Sequence, residues 1–82
     1  MNKPLPQSEI DKQAREAAAE EFALAAYYAD LIVAHLKVGD DSGAIWTMEL
    51  FKGAGRRAFV AFAPVRSAVL DRSRAVRDGG DE

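Results

Sequence analysis

The chain has 82 residues, a formal net charge of −2 and 49% hydrophobic residues. That length allows one domain with a marginal core, for which self-association is a common remedy. The hydrophobic content excludes a disordered chain. The sequence pI near 5.3 argues against the basic footprint of a general nucleic-acid binder. The absence of cysteine excludes disulfides and thiolate chemistry.

Residues 1–7 carry Pro4 and Pro6, which oppose helix, and read as a flexible tail. Ser8 is a good N-cap, and Glu9 and Asp11 place negative charge on the first turn of a helix. From there to Val38 the chain has no Pro or Gly and is rich in Ala, Glu and Leu. Two neighbouring rows recur at helical spacing. One is Ile10, Ala14, Ala17, Leu24, Tyr28, Leu31 and Val38; the other is Ala18, Phe22, Ala25, Ala29, Ile32 and Leu36. Together they form a broad apolar face opposite Lys12, Gln13, Glu16, Glu20 and Lys37. Gly39 suits the left-handed position that ends a helix. The run from Phe22 to Leu36 is interrupted by Asp30 and His35 and is shorter than the ~20 residues of a membrane span. With no secretory leader and no cysteine, the chain reads as soluble and cytoplasmic.

Asp40-Asp41-Ser42-Gly43 is turn chemistry, with Asp41 or Ser42 positioned to cap a second helix. Beyond it two readings compete. In the favoured one, Ala44, Met48, Phe51, Gly55, Ala58, Phe62, Val65, Val69 and Val76 form the stripe of a helical second half, broken at Arg72, with Pro64 kinking it or starting a third helix. In the alternative, strands at 45–51 and 57–63 flank the loop 52–56 as a β-hairpin between two helices, an α+β fold. In both, residues 64–77 are helical and 78–82 form a flexible acidic tail. The fold predicted is mainly α: a long N-terminal helix packed antiparallel on a helical second half. This is one small domain over residues 1–82, with a dimeric four-helix bundle as the way to cover its broad face.

Charge segregation supports the fold-back. Residues 9–30 hold six acids and two bases, whereas residues 52–77 hold seven bases and one acid. Folding the chain at Asp41 sets Glu9 toward Arg72 and Arg74, Glu16 toward Arg66, and Asp30 toward Lys52. Exposed pairs of this kind are worth only ~0.2–1 kcal/mol each, so they speak for register more than stability.

Candidate sites are sparse. Trp46, with Phe51 and Phe59 an aromatic near the turn, reads either as a core plug or as an interface anchor; it falls off the main apolar line, which points it outward toward a partner or a dimer mate. Arg56 and Arg57 come near Tyr27 and Tyr28 on the fold-back, so Trp46 and these four residues are the candidate partner-binding set. Arg66, Arg72, Arg74 and Arg77 widen the basic stretch and carry the alternative of a dimeric nucleic-acid-binding regulator. His35 stands alone, without the companions of a metal site. The acid pairs Glu20-Glu21 and Asp40-Asp41 lie in solvated settings, and no nucleophile–base arrangement is visible. Gly53-Ala54-Gly55 lacks the spacing of a phosphate-binding loop. No catalytic residue, metal or cofactor is therefore expected. In size and shape alone, the hairpin outline is similar to small bundle-forming regulators of plasmid or phage origin. The sequence points to a small non-enzymatic regulator or inhibitor that binds a protein partner through a helical or aromatic surface, as a monomer or a homodimer.

Overall fold

A computed structural model describes residues 7–80, with side-chain surroundings described through Arg74. It consists of two helices, α1 (Gln7–Lys37) and α2 (Asp41–Gly80), packed against each other as an antiparallel hairpin. The β-hairpin alternative is not supported. Residues 45–63 are helical throughout, and no strand occurs among the described residues. The 52–56 segment expected as its loop lies inside α2, with Ala54 fully buried.

Both helices outrun the sequence reading. Ser8 sits inside α1 rather than capping it, and α2 continues through Pro64 to Gly80, so no third helix begins there. Helical backbone thus includes residue 7 and residues 78–80, which the sequence assigned to tails. The remaining tail residues, 1–6 and 81–82, lie outside the described residues. Proline has no N–H, so the Val60 carbonyl loses its usual helical partner. Val60 and Pro64 are both exposed, which leaves that carbonyl open to water.

The connection is a two-sided cap. Gly39 has φ +75°, in the left-handed region that glycine enters without a Cβ penalty. Asp40 N–H donates to His35 C=O at 2.8 Å and Gly39 N–H to Leu36 C=O at 3.2 Å, closing the last turn of α1 in a Schellman motif. Asp40 then caps α2, its Oδ1 accepting from Gly43 N–H at 2.9 Å. The capping residue is therefore Asp40, one place ahead of Asp41 and two ahead of Ser42, the two expected, because the Gly39 turn already sets Asp40 at the start of the next helix.

Burial follows a strict alternation of three- and four-residue steps. On α1 the inward positions are Ala14, Ala18, Glu21, Ala25, Tyr28 and Ile32. On α2 they are Ala44, Thr47, Phe51, Ala54, Ala58, Ala61, Val65 and Ala68. This is a heptad seam filled mainly with alanine. Ala54 and Ala58 are 0% exposed, and Thr47, also buried, satisfies its hydroxyl by donating to Gly43 C=O at 2.8 Å. Small side chains bring the helix axes close. They also bury little, since each buried CH₂ is worth only ~0.8 kcal/mol. No large side chain is fully buried among the described residues.

The seam's tightness has a measurable consequence. Ala58→Leu is expected to destabilise the chain by about 1–3 kcal/mol through overpacking. Ala23→Leu, on the exposed outer side of α1, should stay within about 0.5 kcal/mol of the parent. Gly39→Ala should cost about 1–2 kcal/mol by forcing a Cβ into the left-handed region. Urea unfolding followed by far-UV circular dichroism measures all three.

Candidate functional site

Two helices make one layer, so the hairpin has two broad faces, and no other element among the described residues covers either. It is 14 Å across in its thinnest direction and its radius of gyration is 18.6 Å. A compact chain of this length would have a radius near 12 Å. The accessible surface is 6674 Å². A globular protein of this mass exposes only about 4,800 Å².

Helical phase, measured from the alanine seam, assigns each large side chain to a face. On the first face α1 contributes Phe22, Val33 and Leu36, and α2 contributes Ile45, Met48, Phe59 and Phe62. Phe22 and Phe62 meet edge to face across the seam, with ring centroids 6.1 Å apart. Near the turn this face opens into an apolar groove of about 210 Å³ between Ile32, Leu36, Ile45 and Met48. Toward the far end a second groove of about 150 Å³ runs along Phe59, Phe62, Arg66 and Leu70. Ile45 and Phe59 are 68% and 70% exposed.

The second face carries Leu24, Tyr27, Leu31 and Val38 from α1, with Trp46, Leu50, Arg57 and Val60 from α2. Trp46 is 70% exposed, as its position off the apolar line implied, and Tyr27 is 58% exposed. Tyr27 packs on Tyr28, with ring centroids 5.7 Å apart. Arg57 Nε donates to Glu21 Oε2 at 3.3 Å, an interhelix ion pair that borders a hollow shared with Arg56, Val60 and Ala61. Trp46, Tyr27 and Arg57 therefore share one face. Tyr28 turns into the seam, and Arg56 lies on the outer edge of α2. The ion pairs drawn from the fold-back differ in detail. Lys52 pairs with Glu49 on its own helix at 3.6 Å, while Glu16 and Asp30 point away from α2.

The arginines do not form one stripe. Arg66 borders the groove of the first face, Arg57 belongs to the second, and Arg72 lies with Asp11 and Arg15 at the far end of the hairpin. No group of three or more His, Cys, Asp and Glu side chains that could hold a metal occurs among the described residues. No helix there is long and apolar enough to cross a membrane.

His35 and Asp40 form a cluster that the sequence showed only as a lone histidine and a turn acid. His35 Nδ1 lies 3.0 Å from Asp40 Oδ2, while the other oxygen of Asp40 takes the Gly43 N–H. The Asp40 carboxyl is held below its ordinary value of 3.8, first by the Gly43 hydrogen bond; slight desolvation opposes this, and the His35 ring adds its own hydrogen bond and charge. Gly43 supplies the space: a Cβ there would collide with Asp40 Oδ2 and lie 2.6 Å from His35 Nδ1. All three residues serve the turn, and the cluster is a structural clasp. The signal for it was Asp-x-x-Gly directly after a helix-ending glycine, with a histidine one turn earlier.

The faces themselves could be found in the sequence by ranking positions by smallness instead of hydrophobicity. The alanines at alternating three- and four-residue spacing mark the seam, and the large residues flank it on both sides. Compared with family models, curated proteins and solved structures, the chain matches none.

The clasp makes the fold acid-sensitive with a defined sign. A carboxyl depressed in the folded state stabilises it above the ordinary value and loses that contribution as pH falls through the depressed value. The melting temperature of the parent should therefore exceed that of Asp40→Asn above pH 3.8 and converge with it at lower pH, because asparagine caps the helix but carries no charge. A gap that stays constant through the acid range contradicts the assignment. Gly43→Ala should lower the melting temperature. Gly53→Ala, whose added carbon meets only Arg57 Nη1 at 3.5 Å, should raise stability by about 0.5–1 kcal/mol.

Proposed function

We propose that the chain is a non-enzymatic protein–protein interaction module, a small cytoplasmic regulator or inhibitor that binds a protein partner through the Trp46 face. One observation carries this reading: Trp46 stands 70% exposed on a face where Tyr27, Leu50 and Val60 are uncovered as well. Contiguous apolar surface of that extent on a small chain marks a binding surface. Tryptophan, tyrosine and arginine are the residue types that dominate binding hot spots, and Trp46, Tyr27 and Arg57 supply one of each on the same face. The Arg57–Glu21 pair borders the apolar surface with charge, as the polar rim of an interface does.

The role is exerted by occupancy. A rigid pair of helices lays an aromatic anchor and its apolar neighbours against a groove or helix of the partner, which blocks or holds that surface. Affinity-tagged parent protein should retain a partner saturably from extracts of its own cells. Trp46→Ala should weaken that binding by at least about tenfold, the loss expected on truncating an anchor. Phe59→Glu, on the opposite face, serves as the control. If the proteins retained by the parent are retained equally by Trp46→Ala and by Leu50→Asp, the Trp46 face is not the binding surface and the reading fails.

A further inference from the structure

We propose that the first face, bearing Phe22, Leu36, Ile45, Met48, Phe59 and Phe62, is covered by the same face of a second copy, related by a two-fold axis that sets the turn of one hairpin over the far end of the other. The inference does not depend on the Trp46 face finding a partner.

Area is the first argument. Phe22, Leu36, Ile45, Met48, Phe59 and Phe62 of this face stand 41–70% exposed, and each partner in a standard interface contributes about 800 Å². One face buried against a second copy accounts for a standard interface and still leaves the Trp46 face free. A self-complementary patch closing on itself is also the commonest oligomer geometry.

Shape is the second. At about 1.5 Å of rise per residue, Ala26 and Gly55 lie about 20 Å from the turn, near the middle of this face. A Cβ added at Gly55 would meet nothing within 4 Å. Bulky side chains gather on either side of that low centre, Leu36, Ile45 and Met48 toward the turn and Phe22, Phe59 and Phe62 toward the far end. A two-fold axis through the centre carries Phe59 of one copy onto the Ile32–Leu36–Met48 groove of the other. The same operation carries Ile45 onto the groove along Phe59, Phe62 and Arg66. Projecting side chains thus meet hollows in both directions.

Charge is the third, and it sets the orientation. Asp41 stands at the turn end of this face and Arg66 at the far end, and neither has an ion-pair partner among the described residues. The two-fold arrangement brings Asp41 of each copy over Arg66 of the other, with Lys12 and Arg15 of that copy nearby. A head-to-head two-fold stack would instead lay α2 of each copy over α1 of the other, setting Arg66 against the end that carries Lys12 and Arg15 and leaving Asp41 and Arg66 of different copies apart.

Sedimentation equilibrium of the full 82-residue chain tests this. The parent should sediment at twice its 8.9 kDa mass in the micromolar range. Phe59→Glu should raise the dissociation constant at least about tenfold. Trp46→Glu should leave it unchanged, and circular dichroism confirms that each variant remains helical. Asp41→Arg and Arg66→Asp separate the two orientations. Each alone should weaken self-association, whereas an equimolar mixture, read by native mass spectrometry, should favour the mixed dimer well beyond the statistical half. A parent that stays monomeric at 100-fold higher concentration overturns the proposal. So does a dimer that survives Phe59→Glu and is lost in Trp46→Glu. A dimer whose charge-reversed variants mix only statistically overturns the orientation.

Discussion

The seam between the helices is made of alanine, and the rest of the structure depends on that choice. Alanine at Ala14, Ala18, Ala25, Ala44, Ala54, Ala58, Ala61 and Ala68 lets the helices approach closely, with Ala54 and Ala58 wholly buried. The same choice denies the hairpin a core of large side chains. Burying a leucine or phenylalanine yields about 1.5–3 kcal/mol, but those residues stand on the flanks of the seam. The joint is tight and weakly driven, and most of the apolar surface is left for other contacts.

Two faces follow from one seam. A broad apolar stripe on each helix is split by the partner helix into two flanks, and the antiparallel arrangement joins the matching flanks of α1 and α2. The first face carries Lys52 near its centre, paired with Glu49 of its own helix, and ends in opposite charges at its two extremes. The second combines aromatic groups with the Arg57–Glu21 pair. That difference in chemistry is the basis for assigning self-association to one and partner binding to the other. Among the described residues Arg57, Arg66 and Arg72 lie on the second face, the first face and the far end of the hairpin respectively.

The turn is organised more strongly than the seam. In a few residues it holds a left-handed glycine, two backbone bonds that end α1, a carboxylate cap that starts α2, and a histidine on the remaining oxygen of that carboxylate. Each element prescribes a direction for the chain, so local chemistry ranks ahead of packing in setting the reversal. That order suits a molecule whose long-range contacts are individually small. Pro64 is tolerated under the same logic, since it falls on an exposed side of α2 where water reaches the carbonyl it deprives of a donor.

The sequence by itself determined the first helix, the helix-ending Gly39 and the antiparallel sense of the two halves. Each of these rests on local propensity, capping or net charge, which neighbouring residues fix among themselves. It pointed Trp46 outward without excluding a core position, since a residue's phase on its own helix is local information but the place of the seam is not. Only the tertiary structure decided which of the apolar rows faces inward. Ranking by hydrophobicity selected Met48, Phe62 and Val69 for the core stripe of α2, whereas the chain buries Thr47 and turns the half-buried Ala61 and Ala68 inward at the neighbouring positions. Each of the two rows of α1 divides between seam and flank: Ala14 and Tyr28 of the first and Ala18, Ala25 and Ile32 of the second turn inward, and the larger residues beside them flank the seam. The strand-like residues of 45–63 became helix because the second helix needed small residues at Ala54 and Ala58 more than it was penalised by the glycines beside them. Close approach of two backbones is a property of a pair of helices, and neither helix records it alone.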